Sequence, residues 1–257
     1  MPRAPHDEDG GHWICFGGLT RSVGDAALML EVMAPGVGTW TPRPLRIAYS
    51  EAFPPLTTGK LDDEVRDALR GTAGLLKDLG HEVIERDLDL KARDMPVIVS
   101  LLMRGIRDIV ADVALPQRLE RRTRAIARPG ALVGDRLVER LLAAEENIAR
   151  RIGRLWEEFD VLLMPIFAAD ARPAMAMEGR GAFATWQWES AWVPFGVLFN
   201  STGQPAASVP AGFSSKGLPL AVQLVGAPHD ERTLLGLAGQ IEAARSWLPD
   251  RPSAFDC

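Results

Sequence analysis

The chain has 257 residues, 47% of them hydrophobic and 25% charged, the composition of a globular protein able to bury a core. Its formal net charge of -5 offers no long-range attraction to nucleic acid or to an anionic membrane, so neither is expected as a partner. The two cysteines, Cys15 and Cys257, stand near opposite ends, which excludes a disulfide framework and a CxxC metal site and fits a reducing cytoplasm.

The opening MPRAPHDEDGG is polar and acidic with no apolar run behind it, unlike a secretory signal, and residues 1–16 are expected to be disordered or altered. Ser22-Val23-Gly24-Asp25 has the form of a helix N-cap. Ala26, Met29, Leu30 and Met33 follow at helical spacing until Pro35-Gly36 stops the element. Leu45 to Tyr49 alternates between flanking prolines and reads as a strand. Val65, Leu69, Ala73, Leu76 and Leu79 then recur at helical spacing over 62–79, Gly80 suits the position after a helix, and His81 to Glu85 reads as another strand. A strand, crossover helix and strand in succession imply a parallel pair and an α/β fold, with helices covering a mixed sheet.

From about 96 to 160 the pattern is helical, interrupted at Arg128-Pro129-Gly130, with a long amphipathic run from Leu132 to Phe159. Val161 to Met164 reads as a short buried strand ended by Pro165, and 166–182 as an Ala/Gly/Pro/Met-rich loop. Helix is expected again over 186–200. Ala207 to Pro210 and Leu220 to Val225 read as two strands joined by a turn from Gly212 to Gly217, before a last helix over 231–244. The longest apolar runs, Val161 to Met164 and Phe195 to Phe199, fall far short of the roughly 20 residues a membrane-spanning helix needs.

Candidate chemistry is sparse. His6, His12, His81 and His229 lack metal-ligand spacing, no phosphate-binding glycine motif is present, and no metal or cofactor is expected. Ser214-Ser215-Lys216 contains the residue types of a serine/lysine catalytic set. Consecutive residues in a hairpin turn point apart into solvent, however, where the lysine stays charged, so the triplet reads as a hydrophilic tip. Arg118, Arg121, Arg122, Arg124 and Arg128 read as a solvated helix face. Phe183, Trp186, Trp188, Trp192, Phe195 and Phe199 are denser than the 7% aromatic content suggests, and suit either a core or the lining of an apolar pocket.

Three segments carry a resemblance to a family. Gly17 to Ala27 resembles the amidase-signature motif G-P-L/M-T/A-R-S/T-V-x-D-A-A, with Gly18 where proline is expected. Phe199 to Gly212, followed by Gly217 to Gly226, is similar to the same family's F-N-x-T/A-G-x-P-A-x-S-V-P-x-G and G-L-P-x-G-x-Q-L-V-G block, and Asp160 to Pro165 to its D-x-L-L-x-P strand. The resemblance implies a fold in which a serine nucleophile, a second serine and a buried lysine cleave an amide while backbone N–H groups hold the oxyanion. Those groups precede the matching segments in the family, and no Gly/Ser-rich signature with its lysine is found here; Lys60, Lys77, Lys91 and Lys216 sit in loops or on polar faces. No catalytic residue is therefore carried over, and 17–257 is expected to be the C-terminal part of an amidase domain, inactive alone.

By resemblance, Trp186, Trp188, Trp192, Phe195, Asn200, Thr202 and Gly203 would support a substrate pocket. The apolar stretch Ala191 to Leu198 favours a hydrophobic acyl group. The expected partner is a small-molecule amide in the complete enzyme. A separately supplied N-terminal half, a homo-oligomer and a noncatalytic binding scaffold remain open.

Overall fold

In the computed structural model the described residues are 17–38 and 40–248. The expectations for residues 1–16, with His6, His12 and Cys15, and for Cys257 lie outside them.

The first helix, α1 (Val23–Met33), is capped as its sequence predicts: the Ser22 Oγ accepts the Asp25 N–H at 3.0 Å. Strand β1 (Arg46–Tyr49), helix α2 (Asp63–Asp78) and strand β2 (Glu82–Glu85) form the expected crossover unit, with β1 and β2 parallel. Asp62 caps α2 by accepting the Glu64 N–H at 2.9 Å. Gly80, at φ +90°, makes the left-handed turn out of the helix that a side chain would strain.

Three helices follow, α3 (Met95–Asp112), α4 (Arg121–Ala127) and α5 (Asp135–Gly153), before strand β3 (Val161–Pro165). The helical region is broken twice where the sequence suggested one break. Pro116 opens a separate short turn between α3 and α4, and Arg128–Leu132 forms another against α3. Gly130 is required in the latter, because a Cβ there would stand 2.1 Å from the Met103 carbonyl oxygen. The expected helix over 186–200 is also two pieces, α6 (Ala182–Trp192) and α7 (Leu198–Thr202). Pro194 explains the break, since it lacks an N–H and pushes Val193 out of the helical region, at ψ 58°.

The chain then forms the hairpin β4 (Ala206–Phe213) and β5 (Pro219–Gly226) and ends in α8 (Glu231–Ala244). Gly212 does not belong to the turn, as its position in sequence suggested. It lies at a register shift inside β4 with φ +111°, and the turn proper closes from Ser214 to Gly217.

The five strands lie in the order β2-β1-β3-β5-β4, parallel from β2 to β3 and antiparallel from β3 to β4. The fold is thus the mixed sheet with helices on its faces that the sequence predicted. Alternation along β3 divides the core, as Val161 and Leu163 join Leu69 and Leu76 of α2 and Leu237 and Ile241 of α8. Leu162 and Met164 face the other way, onto Ile98 and Leu101 of α3, Ile148 and Ile152 of α5, and Phe195, Leu198 and Phe199. β3 is covered on both faces, which is why it reads as an unbroken apolar run. β4 is the outer strand beyond the hairpin. No helix among the described residues is long and apolar enough to cross a membrane.

Candidate functional site

A cavity of about 830 Å³ opens beside β4. Its walls are Ala26, Met29 and Met33 of α1, Phe167, Ala169 and Ala171 of the loop after β3, Asn200 of α7, the turn Gly203 to Pro205, and Ala206, Ser208 and Pro210 of β4. That volume and mainly apolar lining match a site for a small organic molecule.

One wall is fixed by Trp192 at the end of α6. Its ring stacks on Phe167, with 4.9 Å between centroids and 21° between planes. Its Nε1–H is shared between the carbonyl oxygens of Ala169 at 3.2 Å and Asp170 at 3.1 Å, while the Ala168 N–H returns a bond to the Trp192 carbonyl at 2.8 Å. A half-buried indole with its N–H satisfied makes a stiff surface. The floor comes from α7, ended by Gly203 at φ +81° with its N–H on the Phe199 carbonyl at 2.8 Å. The Thr202 hydroxyl lies beneath, between the Leu198 carbonyl at 3.0 Å and the side chain of Gln204, which borders the cavity.

Of the residues the sequence nominated, Trp192, Asn200 and Gly203 border the cavity. Trp186, Trp188, Phe195 and Thr202, expected to support a pocket, lie outside its lining. Phe195 is buried in the core with its ring edge on Phe53, and Thr202 is buried under α7. Trp186 and Trp188 are half-buried on α6, outside the lining; the Trp188 ring carries the guanidinium groups of Arg172 and Arg180.

Sequence reasoning missed two features. The first is α1 as a wall, because nothing in its own residues says that it lies along β4. The second is Glu145, a carboxylate 3% exposed on α5 that accepts a hydrogen bond from the hydroxyl of Ser201 on α7, directly after Asn200. A signal for Glu145 existed: it falls on the apolar stripe Val138, Leu142, Ile148 and Ile152, where a charged residue implies a buried partner.

At the C-terminal end of β1 a polar cluster is closed on itself. The Glu51 carboxylate accepts from the Tyr49 hydroxyl, from Arg70 at 2.9 Å and from Arg66 at 3.1 Å. Burial pushes the Tyr49 hydroxyl well above its ordinary range, and its bond to Glu51 adds to this. Burial would also raise Glu51, but the bonds from Tyr49, Arg70 and Arg66 outweigh it and hold the carboxyl below its ordinary value. A protonated tyrosine on a fully engaged carboxylate is a clamp between β1 and α2, not an acid–base pair.

The hairpin triplet forms no catalytic set. Lys216 points away from both serines to Asp170, 3.0 Å away, whose carboxylate raises its pKa and keeps it charged. The Ser215 N–H donates to Glu64 at 2.8 Å. Ser214, expected to project into solvent, is 7% exposed, and its Oγ accepts the N–H groups of Lys216 and Leu218, both at 3.3 Å. In the arginine group, Arg122 pairs with Glu120 at 3.0 Å and donates to the Met177 carbonyl at 2.6 Å.

The cavity thus offers amide and hydroxyl groups and the Glu231 carboxylate on apolar walls. The lining residues include no lysine, histidine or cysteine, and among the described residues Ser208 has no side-chain base within hydrogen-bond reach. Such a surface can hold and orient a molecule, and it supplies no activated nucleophile.

The sequence profile of the amidase family matches residues 12–235. AmiB2 of Mycobacterium tuberculosis is 41% identical over 261 residues, covering 97% of this chain and 56% of that protein. A 6-aminohexanoate-cyclic-dimer hydrolase of a Pseudomonas species is 30% identical over 279 residues, covering 93% of this chain and 55% of its own length. A solved structure of 6-aminohexanoate cyclic dimer hydrolase with bound substrate superposes with a TM-score of 0.74 at 25% identity, over 91% of this chain and 55% of that one. The chain spans about half the length of the curated relatives it matches.

Proposed function

The chain belongs to the amidase family, and from that premise we propose that residues 17–257 form the C-terminal part of a hydrolase of small carboxylic amides, holding the acyl side of the substrate while the nucleophile and its base come from other polypeptide. The observation that carries this reading is the cavity itself: family-motif residues Asn200, Gly203 and Ser208 converge on it, and among the described residues no side-chain base stands within hydrogen-bond reach of Ser208. The apolar walls Met29, Met33, Phe167 and Trp192 suit a hydrophobic acyl chain, and Asn200 and Gln204 suit the polar end of an amide. α1 supports the same division of labour, since Leu28 and Val32 stand exposed on its outer side and await a covering surface. The two cysteines, near opposite ends of the sequence, support a reducing compartment such as the cytoplasm.

The test is ammonia release from hexanamide by the purified chain, alone and co-expressed with the N-terminal portion of the mycobacterial relative that this chain does not match. Removing one oxyanion donor costs roughly 10²–10³ in rate, and removing nucleophile and base leaves no route to an acyl-enzyme. The expected result is turnover by the pair and none by the chain alone. Hydrolysis by the chain alone, abolished by Ser208→Ala, would overturn the reading. Silence in every pairing would leave a noncatalytic scaffold.

A further inference from the structure

The cavity wall at Trp192 borders a half-buried arginine that makes no ion pair among the described residues. Arg172 follows the lining residue Ala171, and its guanidinium carbon lies 3.7 Å from the Trp188 ring centroid and 5.3 Å from that of Trp192, itself a wall residue. Arg180 approaches the same Trp188 ring at 4.8 Å. Among the described residues no carboxylate lies within ion-pair distance of either guanidinium. The Asp170 carboxylate is taken by Lys216 at 3.0 Å, and Glu189 acts on Arg172 only through space.

Hydrogen bonding leaves most of both groups unused. Arg172 makes one long bond, Nη2 to the Trp188 carbonyl at 3.4 Å, and the Arg180 Nε donates to the Ala176 carbonyl at 2.9 Å. Burial lowers the Arg172 pKa, and the neighbouring Arg180 charge acts in the same direction while Glu189 opposes it. A half-buried cation that no carboxylate contacts is one that an arriving anion would stabilise. Stacking also fixes the plane of the guanidinium, which leaves its N–H edge to grip a carboxylate through two parallel bonds.

Resting on the reading of the cavity as the acyl side of an amide hydrolase, we propose that Arg172, backed by Arg180, is a carboxylate-recognition site at the cavity rim. It would select amides that carry a carboxylate on the arm remote from the bond to be cleaved. The apolar walls take the intervening methylenes, and the rim takes the charge.

Adipamate and adipamide share a four-methylene chain with an amide at one end and differ at the other only in carboxylate against carboxamide. Calorimetric titration of the chain with each is expected to show adipamate binding roughly tenfold tighter, by the margin of one charge-assisted bidentate contact. Added NaCl should shrink that margin. Arg172→Gln should equalise the two ligands while leaving adipamide affinity where it was, which reports an intact cavity. Arg172→Lys should keep only part of the preference. Equal binding by the wild-type chain, binding of neither ligand, or a preference undiminished in Arg172→Gln or Arg172→Lys would overturn the proposal. Because the readout is equilibrium binding, its failure and the failure of the hydrolysis experiment are told apart.

Discussion

The two ends of the molecule's packing, strand β3 and helix α1, are both rich in apolar residues and end in opposite situations. Val161, Leu162 and Leu163 of β3 are all 0% exposed, walled by α2 and α8 on one face and by α3 and α5 on the other. On α1, Leu30 is buried against α8, while Leu28 is 67% and Val32 75% exposed. A strand with two apolar faces finds both partners inside this chain. A helix with two apolar faces finds one among the described residues. Apolar content therefore counts surfaces to be covered and does not say who covers them.

The comparison can be broken at its buried end first. Leu163→Ala removes a side chain enclosed on all sides where β1 and β5 flank β3, and the sheet cannot collapse to fill the void. The expected loss is about 3–5 kcal/mol, read as a lower urea midpoint at unchanged slope. A loss below about 1 kcal/mol would mean that β3 is less confined than its burial indicates. Gly130→Ala probes the helical layer in the same assay. Its Cβ would meet backbone, the Met103 carbonyl oxygen, which cannot swing aside, so about 1–3 kcal/mol should be lost as α3 and the turn at Arg128–Leu132 are forced apart.

These buried contacts were also the legible part of the sequence. The Ser22 cap, the α2 stripe, Gly80 and the apolar run of β3 are local patterns, and local patterns survive into the fold. What escaped needed neighbours distant in sequence. Gly212 read as a turn residue because a bulge and a turn ask the same freedom of glycine. For Phe195 and Trp188 core and pocket lining stayed open because helical spacing alone cannot separate a core face from a lining face, and Pro194, which cuts α6 from α7, was there to be weighed. The cavity was legible through Trp192, Phe199, Asn200 and Gly203. Its other walls, α1 and the loop after β3, meet β4 only once the chain has folded.

A pH titration sharpens the contrast at the junction of α2 and β1. The buried His81 Nδ1 accepts the Leu45 N–H at 3.1 Å, so the folded chain needs that nitrogen unprotonated. Burial holds the imidazole below its ordinary 6.5, against the opposing influence of Gln240 and of the Asp160 charge. The unfolded chain takes up its proton from 6.5 downward, the folded chain only at lower pH. Stability is thus level above the ordinary value and falls as pH drops from there through the folded value. Denaturation at about pH 7.5 and about pH 5.5 should show the wild-type chain losing more than His81→Gln. Equal losses would remove His81 from the account.

The smallest expected effect is the most informative about α1. Leu28 and Val32 lie one turn apart on its exposed side, so the pair Leu28→Ser and Val32→Ser deletes apolar area that the described residues leave uncovered. The stability of the chain alone should change by no more than about 0.5 kcal/mol, against several for one leucine of β3. The same pair should weaken recovery of hydrolysis when the chain is co-expressed with the N-terminal portion of its relative, because there the outer face of α1 is expected to be covered. A destabilisation of the lone chain comparable to Leu163→Ala would show that α1 already buries both faces within these residues. Loss of pairing with unchanged stability would show that β3 and α1 obey one rule, each apolar face covered, with the second partner of α1 supplied by another polypeptide.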